Sequence, residues 1–177
     1  MNTNQYGCTP QRSTIDAAMA VMDLVEKGLA VGELIVLVSL DVKGAFDTAW
    51  WPSILSILKA CGCPKNVYNL AKSYFSQWTA ILSTNSIRME REVSKGCPQG
   101  SCCGLGLWNI QYNSFQNLKF TRRTKAVVFA DDLILAIRGE TVSKVENFSN
   151  VEFSKITAWS KNNKIRFNEE KSKFMLI

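Results

Sequence analysis

Apolar residues recur along this chain with two periods, and the switches between them mark its elements. Behind Ser13-Thr14-Ile15-Asp16, a capping box with Ser13 as N-cap and Asp16 at N3, the residues Ile15, Ala18, Met19, Met22 and Val25 return at helical spacing. Gly28 and Gly32 end that helix. Leu34 to Leu40 is apolar almost throughout, which suits a strand covered on both faces, and it stops at Asp41. Past a break at Gly44, Pro52 opens a helix whose buried stripe is Ile54, Ile57, Leu58 and Cys61. Pro64 opens another, in which Val67, Leu70, Ala71, Tyr74, Phe75 and Trp78 hold the 3.6-residue period and predict a core-facing stripe.

Thr79 to Leu82 and Ser86 to Val93 predict a hairpin around Thr84-Asn85. Lys95 to Ser101 is dense in breakers and predicts a loop. A helix follows with Leu105, Trp108, Tyr112 and Phe115 on one face, and a later one, from about Thr141 to Trp159, carries Val145, Phe148, Ile156 and Trp159. Ile165 and Phe167 alternate as a strand. The chain ends within Phe174-Met175-Leu176-Ile177, which reads as strand with no visible partner.

Between these helices lies Ala126 to Ile137, two β-branched runs joined at Asp131-Asp132. The joint must be a tight hairpin, yet Asp-Asp lacks the ready positive φ of Asn-Gly or Asp-Gly. Two like charges there repel, and a shared divalent cation would remove the cost. Seen alone, the stretch reads better as a solvated acidic turn. The order β-α-α-β-β-α-β-β-α-β mixes hairpins with helical crossovers and predicts an α+β fold, helices on one face of a mainly antiparallel sheet. In such a sheet the end of the strand at Asp41 can lie beside Asp131 and Asp132. Magnesium is typically held by one or two carboxylates plus substrate phosphates, and two such ions can clamp an in-line displacement at phosphorus. Asp41 and Asp131 are the natural bridging pair.

Composition changes this picture little. Hydrophobic content of 46% in 177 residues allows one domain with a sizeable core, and no linker or repeat divides it. No apolar run approaches the length of a membrane span, and the polar N-terminus has no signal-peptide core behind it. Six cysteines then read as reduced intracellular thiols, and the lack of histidine and of C-x₂-C spacing argues against zinc. A net charge of +6 permits an anionic partner.

Five segments, in order, resemble the reverse transcriptases of non-LTR (LINE-type) retrotransposons. Phe129-Ala130-Asp131-Asp132 is similar to their aromatic-x-Asp-Asp box, and Leu40 to Asp47 to their first aspartate motif. Lys95 to Ser101 is similar to the Gly-x-Pro-Gln-Gly-Ser loop. Trp159 to Lys173, with Asn168-Glu169-Glu170-Lys171, resembles the later Trp…Asn-x-x-Lys segment. Gln5-Tyr6-Gly7 with Arg12-Ser13-Thr14 resembles the segment ahead of the first aspartate, although Cys8 stands where the family usually has phenylalanine.

The resemblance implies a palm-type antiparallel sheet over about residues 34–177, with a fingers-side segment over about 1–33. It implies RNA-directed DNA synthesis with an RNA template, a DNA primer, dNTPs and two Mg²⁺ ions, which Mn²⁺ can replace. Asp41, Asp131 and Asp132 would be the catalytic metal ligands. Phe46 would be the gate against a ribose 2′-hydroxyl, which requires the chain to bend at Gly44. Val42 would contribute to the same nucleotide site, Gln99 and Gly100 would lie against the templating base pair, and Lys171 is the candidate acid for pyrophosphate. The full-length element would work in the nucleus, and the resemblance reads this chain as part of a longer polyprotein. Two rival readings remain open at this point: an inactive retroelement fragment, and a non-catalytic RNA-binding module that stacks bases on a similar sheet.

Overall fold

A computed structural model describes residues 5–7, 9–98 and 100–177. In chain order the elements are helix α1 (Thr14–Leu29), strand β1 (Leu34–Val42), the short α2 (Ala45–Thr48), α3 (Trp51–Ala60), α4 (Lys65–Tyr74), and strands β2 (Thr79–Ser83) and β3 (Arg88–Glu92). Helix α5 (Gly104–Asn113) runs into a 3₁₀ turn (Ser114–Asn117), followed by β4 (Thr124–Phe129), β5 (Asp132–Gly139), α6 (Val142–Asn163) and β6 (Phe167–Leu176). The chain divides into two compact units, Met1–Ala45 with Tyr112–Ile177, and Phe46–Gln111.

The first unit is built on an antiparallel sheet in the order β4-β5-β1-β6. Its two central strands pair from Leu34 opposite Gly139 to Leu40 opposite Leu133. Ile35, Val128, Leu133, Leu135 and Ile137 are fully buried, each contributing roughly 1.5–3 kcal/mol of hydrophobic stabilisation. Helices α1 and α6 pack on this sheet. The Ser13 capping box forms, with the Ser13 hydroxyl accepting from the Asp16 N–H at 3.2 Å. Thr141 caps α6 in the same way.

Two sequence expectations, on the chain's end and on α4, are corrected here. The apolar stripe of α1 is not its packed side: Ile15, Met19 and Met22 are exposed, and the buried positions are Ala17 and Gly28. Small residues let the helix approach closely, since a side chain on Gly28 would meet the Ile35 side chain at 2.8 Å. The end of the chain has a partner, because β6 pairs with β1 from Val36 opposite Leu176 to Val42 opposite Phe167. In the second unit, α4 buries none of its residues; Leu70 is 71% exposed, and only Phe75, just past the helix, is enclosed, stacked on Trp51. The β2–β3 hairpin of that unit is exposed along both strands. Among the described residues no helix is long and apolar enough to cross a membrane.

The β4–β5 hairpin turns on Ala130 and Asp131, so Asp132 is the first residue of β5, paired with Phe129. The positive φ that Asp-Asp lacked falls on Ala130, at 55°. A left-handed non-glycine residue costs roughly 1–2 kcal/mol. The turn is braced from outside: Tyr6 donates to the Val128 carbonyl at 2.8 Å, and Gly7 packs backbone to backbone on the turn. A Cβ on Gly7 would stand 2.8 Å from the Ala130 Cα and 2.9 Å from the Phe129 carbonyl carbon. Gly7→Ala is therefore expected to destabilise the chain by about 1–3 kcal/mol in chemical denaturation, because backbone must move. Gly106→Ala, in α5 with open space around it, should instead gain up to about 1 kcal/mol. Equal effects at the two positions would remove the bracing role of Gly7.

Candidate functional site

The register of the central strands assembles the acidic end of the first unit. The ladder ends with Leu40 opposite Leu133; Asp41 stands one residue past the first and Asp132 one before the second, so one further step in the same register would set them across from each other. Facing residues of an antiparallel pair have Cα atoms about 4.5–5.5 Å apart and side chains on the same side. Asp131 occupies the adjoining turn. Asp41 and Asp131 are half-buried and Asp132 is exposed.

Asp132 senses the other two carboxylates. Partial desolvation, then the charge of Asp131, then that of Asp41 hold the Asp132 carboxyl above its ordinary range. Beneath them Tyr112 is fully buried, and its hydroxyl is pushed up first by burial and then by Asp131, Asp132 and Asp41. Among the described residues no three His, Cys, Asp or Glu side chains form a complete metal cage by themselves. The donor chemistry still fits magnesium, which takes hard oxygens and needs only one or two protein carboxylates beside substrate phosphates.

Along its other edge β1 is paired with β6. Asn168 pairs with Asp41 and Lys173 with Ser39, so β6 spends five steps where β1 spends two. Residues 169–172 therefore bulge, tied by the Ser172 hydroxyl to the Asn168 carbonyl at 2.7 Å.

In the second unit, α2 and the breaker-rich loop form one corner. The bend at Gly44 has φ 59°, and Phe46 follows on α2. Cys97 donates to the Phe46 carbonyl and Gly96 to the Ala49 carbonyl, both at 2.7 Å, while the Trp51 indole donates to the Gly96 carbonyl. Burial, with Cys103 adding to it, pushes the Cys97 thiol up to about 11, so it packs as a neutral residue. Phe46, Pro98, Gly100, Ser101 and Leu105 line an open pocket of about 470 Å³. Trp108 backs Phe46 with ring centroids 6.0 Å apart.

Comparison with known proteins shows the family and the fold. The family model described as reverse transcriptase (RNA-dependent DNA polymerase) matches residues 1–176. The chain belongs to the reverse transcriptase family. It is 31% identical over 156 residues to a 115 kDa protein of the type-1 retrotransposable element R1DM of Drosophila melanogaster, covering 88% of this chain and 15% of that protein. It is 30% identical to the Pol polyprotein of an R1 element of Bradysia coprophila, covering 80% of this chain and 14% of that one. The RNA-directed DNA polymerase of the Drosophila mobile element jockey is 23% identical over 94% of this chain. The domain is thus of the non-LTR retrotransposon kind, and it spans 14 to 19% of the length of these relatives. Its fold is shared with apo telomerase from Candida tropicalis truncated from its C-terminal domain, at TM-score 0.74 and 13% identity over 98% of this chain and 36% of that one.

The reverse transcriptase motifs can now be placed one by one. Asp41, Asp131 and Asp132 come to one end of the sheet. Lys171 lies in the β6 bulge, between the residues paired with Asp41 and Ser39. Phe46 and Gly100 line the same pocket. Gly100 has φ 77° and a Cβ there would meet nothing within 4 Å, so its glycine serves the turn and leaves open space. Gln99 lies outside the described residues. Val42 is 3% exposed, so its side chain is closed off from a nucleotide, and the contact expected of it can come only from main chain. Reading the motifs alone misses Tyr112, whose helical spacing announces core and nothing about carboxylates. The Gln-Tyr-Gly segment acquires a role as well: Gln5 is buried, Gln116 donates to its side-chain oxygen at 2.7 Å, and Arg12 donates to its carbonyl.

Proposed function

We propose that this domain carries the polymerising centre of a retroelement reverse transcriptase, adding dNTPs to a primer 3′-hydroxyl on an RNA template, within the nucleus when part of the full-length element. The observation that carries the reading is the acidic end of the palm sheet, where the strand ladder leads Asp41 toward Asp132 beside the Asp131 turn. Bound magnesium ions would activate the attacking hydroxyl and neutralise charge on the departing pyrophosphate. The chain's own part is to hold those ions through Asp41, Asp131 and Asp132 on a rigid hairpin. Lys171 is the candidate proton donor to the leaving group. Phe46 would refuse a 2′-hydroxyl, and Gln99 with Gly100 would meet the templating pair.

A base-stacking RNA-binding module fits less well. Such modules stack bases on aromatics of central strands, and β1 (LIVLVSLDV) and β5 (DLILAIRG) contain no aromatic residue. The test of the metal site is a melting experiment. Millimolar Mg²⁺ or Mn²⁺ should raise the melting temperature, by about 1.4 kcal/mol of added stability at ten times the dissociation constant. Asp131→Asn should erase that shift. A shift that survives the substitution puts the metal elsewhere, and no shift in the unaltered protein removes the metal reading of this chain.

A further inference from the structure

At the far end of β4 from the aspartates, a second open cavity of about 470 Å³ runs along the outer edge of the sheet. It is lined by the apolar Leu118, Phe120 and Ala126 together with Lys119, Thr124 and Lys125. The stretch Lys119 to Lys125 holds four cations in seven residues. They are not equivalent. Arg123 is committed to Glu33 and Glu140, whereas Lys119, Arg122 and Lys125 take part in none of the ion pairs among the described residues. The nearest buried acid is spoken for: Glu152 accepts from the Thr121 N–H at 2.7 Å and from Lys155 at 2.8 Å. Lys155 also ties α6 to the Lys119 carbonyl at 2.9 Å, which holds the basic turn in place.

We infer that this cleft binds the phosphodiester backbone of a single nucleic-acid strand, at a site separate from the catalytic carboxylates. The cations sit on two supports, Lys119 beyond the 3₁₀ turn and Lys125 within β4, and share the lining with apolar residues that include a half-buried aromatic ring. Strand-binding grooves combine these two features, a cationic track and an apolar or aromatic platform. A small free anion would need converging donors at one point, whereas these cations are spread along an open edge. Along β4 the cleft lies between three strand steps (Ala126) and five (Thr124) from Phe129, roughly 10–17 Å from the acidic turn and beyond the screening length of about 8 Å at physiological salt. Repulsion from the aspartates therefore does not oppose a phosphate here. An RNA held at this edge would engage the domain through a surface other than the one that polymerises.

The experiment is fluorescence anisotropy of this chain with a labelled single-stranded RNA over a salt series. Lys119→Gln/Lys125→Gln should weaken binding about tenfold at low salt and reduce the slope of log affinity against log salt by about 1.4, two phosphate contacts' worth. Lys59→Gln/Lys72→Gln removes the same charge from exposed helix positions and should change both by much less. Equal effects of the two pairs mean general charge attraction and overturn the site. So does displacement of the RNA by inorganic triphosphate as effective as by unlabelled RNA, which would make it a free-anion pocket. Lys119→Glu, at an exposed position, guards against misfolding and should weaken binding further than Lys119→Gln.

Discussion

Asp131→Asn, in a full-length retroelement polymerase bearing this domain, is expected to lower primer extension on an RNA template by about a thousandfold or more, some 4 kcal/mol of lost transition-state stabilisation. The amide keeps the size and shape of the carboxylate and removes only its charge, so the turn at Ala130 and Asp131 should persist. Electrostatics separates this result from misfolding. Asp131 is the first charge acting on Asp132, whose carboxyl is held above its ordinary range. A carboxyl with a raised folded value favours the folded state while protonated, and that contribution is lost as pH rises from the ordinary range through the raised value. With Asp131 neutral, Asp132 should move back toward ordinary behaviour and the loss should shrink. The metal-free variant should therefore be at least as stable as the parent at neutral pH, while failing to polymerise. A variant that is both inactive and less stable at neutral pH would mean that Asp131 holds the hairpin together and not a metal.

Phe46→Val is expected to raise the use of GTP relative to dGTP at least tenfold, about 1.4 kcal/mol of lost discrimination. The ring lines an open pocket with Gly100 and Pro98 and is backed by Trp108. A side chain so placed can exclude a hydroxyl by bulk alone, provided the sugar of the nucleotide enters that pocket. Valine would open the space and leave the carboxylates untouched. Phe46 is half-buried, and shortening it should cost roughly 1–3 kcal/mol of stability, measured separately by denaturation. The deciding quantity is the ratio between substrates at a single template position. If both rates fall together and their ratio holds, Phe46 is a packing residue and the gate is elsewhere.

The order of elements was legible in the sequence because their signals are local. Ser13 and Thr141 cap helices through their own hydroxyls, and Gly44, Pro52 and Pro64 punctuate the chain through their own backbone preferences. The acidic site was legible for the same reason: Asp41 ends an apolar run, and Asp131 and Asp132 sit where two others meet. Periodicity was less informative about burial. The stripe Ile15, Met19, Met22 has the spacing of a core face yet lies in solvent, because a helical stripe shows only that a side is apolar and not what covers it.

What the sequence determined alone is therefore the succession of strands and helices, the chemistry of the three aspartates and their position at strand ends. Tertiary structure decided which strand receives β6, how the 169–172 bulge comes beside Asp41, and that the backbone of Gly7 braces a strained Ala130. It also placed Tyr112 under the aspartates, 19 residues before Asp131 in the chain. Each of these depends on pairs distant in sequence. Strand pairing, close packing and charge coupling follow separation in space, and a local pattern carries no record of it.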